Sequence, residues 1–203
     1  LSLHDALPIS SNMNYILLIV LLAFSYCSPT TKWDLSKPIT LKIDNNFPKS
    51  RDLTQENNKI LFATAFKEVV ASLGGTVVEY PTNQTFTLHT TNDSNCKNPD
   101  TLVYTPSPNL GDIYFCTAKT EKSPYENKQA WQVMAHELGH ALSYRREHIG
   151  GEGKFIDYAS CPSHDVMSNN LGCRKIADKF YTPKDISYIC STGYTIGGKC
   201  STN

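Results

Sequence analysis

Two histidines with three residues between them, the first followed by a glutamate, sit inside one apolar run, Val133-Met134-Ala135-His136-Glu137-Leu138-Gly139-His140-Ala141-Leu142. On a helix, residues four apart lie about 40° around the axis and about 6 Å along it. Both imidazoles then project from one face and can reach the same ion. Glu137 is rotated by about 100° from His136, off that shared face but able to hydrogen-bond a water held there. Neutral imidazole is a good zinc ligand, and zinc accepts tetrahedral nitrogen sites. A carboxylate beside a zinc-bound water takes its proton as the water attacks a carbonyl. The spacing therefore predicts two ligands, His136 and His140, and a general base, Glu137, on one helix. A catalytic zinc also needs a third protein ligand and an open position.

The rest of the chain supplies a scaffold for that helix. Ser123-Pro124-Tyr125-Glu126 reads as its start, with Ser as the cap, Pro at the first helical position and Glu at the third, and the helix is expected to run to about Tyr144. Ile39, Leu41 and Ile43 alternate with Thr40, Lys42 and Asp44, the period of a half-buried strand. Thr54 caps a second helix, in which Ile60, Leu61, Phe62, Ala65, Phe66, Val69, Val70 and Leu73 form an apolar stripe closed by Gly74-Gly75. Thr76 to Tyr80, Thr85 to His89, Thr101 to Thr105 and Asp112 to Thr117 read as strands, and Thr182-Pro183-Lys184-Asp185 opens a last helix. This order predicts an α+β fold, a twisted mixed sheet of about five strands packed by about three helices.

Before the scaffold, Tyr15 to Phe24 (YILLIVLLAF) is too short to span a bilayer comfortably and fits the apolar region of a signal peptide starting at Met13. Residues 1–12 have no periodicity and are expected to be upstream read-through. Cys27, in Phe24-Ser25-Tyr26-Cys27-Ser28, resembles the lipidated cysteine of a bacterial lipobox, with Tyr26 departing from the usual small residue. This predicts a signal peptide over 13–27, lipid anchoring through Cys27, and a polar linker with two prolines over 28–38. The chain has seven cysteines, and setting Cys27 aside leaves six, an even set that in an exported chain predicts disulfides. Proximity favours Cys96–Cys116, Cys161–Cys173 and Cys190–Cys200. An extracellular, cell-surface or periplasmic location follows. Formal net charge is zero and no basic stripe exists to neutralise phosphates, which excludes a nucleic-acid partner.

From Thr101 to Leu142 the chain resembles the metzincin clan of zinc metallopeptidases, and within it the matrixin-like members. Thr101-Leu102-Val103-Tyr104-Thr105 resembles their edge strand, and Leu110-Gly111-Asp112-Ile113-Tyr114-Phe115 the strand that follows. Asp165-Val166-Met167-Ser168 resembles the Met-turn beneath the metal, and Phe180-Tyr181-Thr182-Pro183-Lys184-Asp185-Ile186 the start of the C-terminal helix. The resemblance implies a single catalytic domain over 39–203 with one zinc ion, acting as a monomer on a protein or peptide. The substrate would pair with Thr101 to Thr105 through main-chain hydrogen bonds. The family pattern places Gly and then the third ligand downstream of the second His, but this chain has Ser143 and Arg146 there. His148, two residues late, is the favoured third ligand, with His164 and Asp157 as alternatives. An unbroken helix would carry His148 about 12 Å beyond His140, so the helix must end first.

Two other readings compete. One is a catalytically inactive metzincin-fold lipoprotein acting as a surface binding module, suggested by the missing Gly and third His. The other is a peptidase of a different zinc clan using Glu152 or Asp157. Glu137 weighs against the first, because binding alone does not require it.

Overall fold

A tryptophan ring hidden from water contributes too much apolar area to be left on a tether. In the computed structural model, which describes residues 33–99, 101–106, 111–143, 181 and 183–202, Trp33 is buried and its ring stacks on Phe86 at 4.1 Å. Trp33–Asp34 form a short strand, β1. Within the stretch expected as a linker, 33–38 therefore belong to the folded body; the signal peptide and Cys27 lie outside the described residues.

The main sheet has five strands, β2 (Ile39–Ile43), β3 (Val77–Val78), β4 (Thr85–Thr91), β5 (Val103–Tyr104) and β6 (Asp112–Cys116), in the order β3-β2-β4-β6-β5. Every neighbouring pair is parallel except β5 with β6, so the sheet is mixed and its antiparallel strand stands at one edge. Several strands are shorter than the sequence suggests. The Tyr80 carbonyl accepts from the Thr40 hydroxyl at 2.8 Å instead of extending β3, and Pro81 has no N–H to continue it. Thr101 closes a turn onto the Asn98 carbonyl before β5 begins. Thr117, expected in β6, opens a short helix over Thr117–Thr120.

Helix α1 (Gln55–Ser72) starts where its cap predicts, with Thr54 Oγ1 accepting from the Asn57 N–H at 3.2 Å. Its buried face carries Phe62, Ala65, Phe66, Val69 and Val70. Ile60, expected in that stripe, is exposed, because it lies about 200° around the helix from Phe62. The helix ends on Gly74 at φ 81°, with the Gly74 N–H on Ala71 O and the Gly75 N–H on Val70 O, which satisfies two terminal carbonyls.

Helices α2 (Thr117–Thr120), α3 (Asn127–Ser143) and α4 (Pro183–Ser191) complete the α-helices among the described residues, four against the three or so expected. Pro183 takes the first position of α4, as its fixed φ favours. The sheet buries Ile39, Phe86, Leu88, Ile113 and Phe115 in the same core as the buried faces of α1 and α3. Phe62 stands edge-on to Phe47, Phe115 and Tyr125, a geometry favourable for aromatic rings. The last strand, β7 (Thr195–Ile196), pairs parallel with β1. Two of the three expected disulfides are present, Cys96–Cys116 and Cys190–Cys200; Cys161 and Cys173 lie outside the described residues. Such bonds persist in oxidising compartments. Among the described residues no helix is long and apolar enough to cross a membrane.

Candidate metal centre

Helix α3 carries the site, and its sequence makes it an interior helix. Ala130, Val133, Met134, Ala135, Leu138, Ala141 and Leu142 are buried, and so are the polar Gln132, His136 and Glu137. A helix buried on nearly every side is one that neighbours hold in place. It begins at Asn127, three residues later than Ser123-Pro124 suggests. Ser123 is already used, its hydroxyl donating to the Lys119 carbonyl at the end of α2, and the Tyr125 ring is drawn into the core against Phe62. Glu126 takes over as the cap: its carbonyl accepts the first helical bond from Ala130, and its N–H donates to Gln129 Oε1 at 3.2 Å.

The far end of α3 and the turn that bears the histidines are tied to the C-terminal segment. Tyr181 Oη donates to Ala135 O at 2.7 Å, one residue before His136. Thr195 Oγ1 donates to Leu142 O at 2.6 Å, tying the helix two residues beyond His140 to β7. Burial, with the Asp185 carboxylate adding to it, holds the Tyr181 phenol well above its ordinary range. Nothing in the sequence pattern pointed to either tether; a Tyr just ahead of a helix-opening Pro is a common residue in a common place.

His136 and His140 converge. Their Nε2 atoms are 3.1 Å apart and the rings stand nearly perpendicular, with centroids at 4.7 Å. Two imidazole nitrogens on one tetrahedral ion, each about 2.05 Å from it, would be separated by about 3.3 Å. The pair thus fits a shared zinc ion in donor type and in spacing. With no ion, the same distance suits a hydrogen bond in which one ring carries its proton on Nε2 and the other accepts.

Glu137 points toward the edge of the sheet. Thr105, which follows β5, donates its hydroxyl to Glu137 Oε2 at 2.8 Å and approaches the Glu137 carbonyl at 3.4 Å. A carboxylate at 4% residue exposure is costly without such donors. Of the residues expected to form the substrate strand, Val103 and Tyr104 lie in β5, with Thr101, Leu102 and Thr105 flanking them. The side-chain contact from Thr105 was not foreseen.

Of the expected third ligands, His148, His164 and Asp157 all lie outside the described residues, as do Glu152 and Met167. Among the described residues no group of three His, Cys, Asp or Glu side chains is placed to hold a metal. His89, on β4, has its Nε2 2.9 Å from Asp112 Oδ1 and its Nδ1 3.4 Å from Asp44 Oδ1. Its Nε2 contact with Asp112 and its approach to Asp44 link β4 to β6 and to the end of β2.

Compared with protein-family models and with curated proteins, the chain matches none of them.

Proposed function

We propose that this chain is a zinc-dependent endopeptidase, exported and of the metzincin kind, that hydrolyses peptide bonds in a protein or peptide substrate. The observation that carries the reading is the approach of His136 Nε2 to His140 Nε2 at 3.1 Å, on the helix whose next residue after His136 is the buried carboxylate Glu137. His136 and His140 would hold the ion, completed by His148, or else by His164 or Asp157. When bound, zinc supplies the Lewis acidity that brings water toward ionisation near neutral pH and polarises a carbonyl.

This chain's own residues would do the remainder. Glu137 accepts a proton from the attacking water and returns it to the departing amine nitrogen. β5 stands at the sheet edge, hydrogen-bonded to β6 on one side, and its other side is where an extended peptide would add as a further strand. Thr105 joins that strand to the base. The mixed sheet with an antiparallel edge strand next to the histidine helix is in keeping with the metzincin resemblance. The two disulfides are in keeping with export, and Cys27 is the residue that lipid anchoring would use.

The test is hydrolysis of a denatured protein by the purified full chain, with and without a chelator. Cleavage that a chelator abolishes and added zinc restores supports the proposal. Zinc binding without cleavage would instead favour the inactive binding module.

A further inference from the structure

The proposed base is held by the same segment that would align the substrate. We propose that Thr105 is the positioning residue for the Glu137 carboxylate, fixing it relative to the peptide that β5 aligns; this rests on the endopeptidase reading. Thr105 Oγ1 has one proton to give. The 2.8 Å approach to Glu137 Oε2, against 3.4 Å to the Glu137 carbonyl, assigns it to the carboxylate. A hydroxyl bonded to an ionised group makes one of the stronger hydrogen bonds in proteins.

Thr105 is itself rigidly placed. Its β-branch restricts χ1, and Pro106 confines its backbone to extended conformations. Alternation sets Val103 and Thr105 on one side of the strand and Tyr104 on the other. Tyr104 is pinned there, its ring stacked on Tyr114 at 5.3 Å and its hydroxyl donating to Asp93. On the other flank, the Cys116 N–H donates to Leu102 O at 3.0 Å, and Cys116 is covalently tied to Cys96. Strand, threonine and base thus form one connected frame. A base that must take and return a proton in a fixed geometry loses rate when its carboxylate is free to rotate, because misalignment of the reacting atoms is expensive.

The experiment measures hydrolysis of a quenched fluorescent denatured protein by the zinc-loaded full chain, together with the carbon-13 carboxyl resonance of Glu137 in the metal-free chain, assigned by its loss in Glu137→Gln. Thr105→Val is expected to lower kcat by about 10- to 100-fold with KM changed less than about twofold, and to move the resonance. Thr105→Ala, which adds no bulk, carries the same expectation, and Thr105→Ser is expected to restore both readouts. Valine and alanine variants with kcat within about twofold of wild type, or with an unmoved resonance, overturn the proposal. A resonance that moves while the wild type shows no chelator-sensitive hydrolysis overturns the endopeptidase reading, and with it the positioning role, leaving a purely structural contact.

Discussion

Tyr181 donates its buried hydroxyl to the carbonyl of Ala135 at 2.7 Å, across 46 residues of chain. The bond pins the turn of α3 that leads into His136 to the segment that leads into α4. Tyr181→Phe keeps the ring and deletes the bond. It is expected to cost about 1 kcal/mol, read as a lower denaturant midpoint at unchanged slope.

The same tyrosine gives the fold an alkaline limit. Burial, reinforced by Asp185, raises the Tyr181 pKa well above its ordinary 10.0, and burial raises that of Tyr125 in the same direction. Below the unfolded value both states keep their protons, and the preference for the neutral phenol is fully present. As pH climbs beyond about 10 the unfolded chain ionises while the folded chain resists, so stability falls. The denaturation midpoint is expected to decline from about pH 10 upward, and less steeply in a Tyr125→Phe, Tyr181→Phe double variant. Identical slopes in the two proteins would count against buried phenols as the cause.

Gly111 is required by its backbone. Its φ is +72°, and a Cβ there would meet the Thr85 carbonyl at 2.5 Å and the Trp33 ring at 2.9 Å. The Gly111 carbonyl also accepts from the Thr87 N–H at 2.8 Å, so the approach of β6 to β4 cannot relax without losing that bond. Gly111→Ala is expected to destabilise by at least about 1–2 kcal/mol from the left-handed backbone, before the clash is added. Equilibrium unfolding in urea measures it, and a neutral substitution would show that the strands can separate freely here.

The Cys96–Cys116 disulfide closes a loop with a sequence separation of 20 residues, so its removal is expected to cost about 3 kcal/mol through the entropy of the unfolded chain. Because Cys116 also bonds the residue before β5, amide exchange in 102–105 is expected to speed up more than in β2 when both cysteines are changed to serine. Uniform acceleration would assign the bond to global stability alone.

Glu137→Gln keeps the shape of the side chain and removes its basicity. It is expected to retain zinc while losing at least about 100-fold in turnover. Unchanged turnover would remove Glu137 from the role of base.

Much of the frame was legible because its signals are local. Thr54 caps α1 and Gly74 ends it by chemistry contained in a few residues, and the alternation of Ile39, Leu41 and Ile43 marks β2. Proximity alone paired Cys96 with Cys116 and Cys190 with Cys200. The errors came where a distant contact competed with a local preference. Ser123-Pro124 is a good helix start in isolation, but Tyr125 has a better place against Phe62, and α3 begins at Asn127. Ile60 satisfies the apolar pattern yet faces solvent. At the site, the i, i+4 spacing was enough to foresee that His136 and His140 meet. The approach of Thr105 to Glu137 and of Tyr181 to Ala135 depends on how strands and helices assemble, which no window of sequence contains.

The central claim is that His136 and His140 share one ion, and zinc retention by the full chain after exhaustive dialysis tests it most directly. The wild type is expected to keep about one zinc per chain, with imidazole nitrogens about 2.0–2.1 Å away by X-ray absorption, and His136→Ala and His140→Ala are each expected to lose it. A wild type that keeps no zinc, or variants that keep as much as the wild type, would contradict the account.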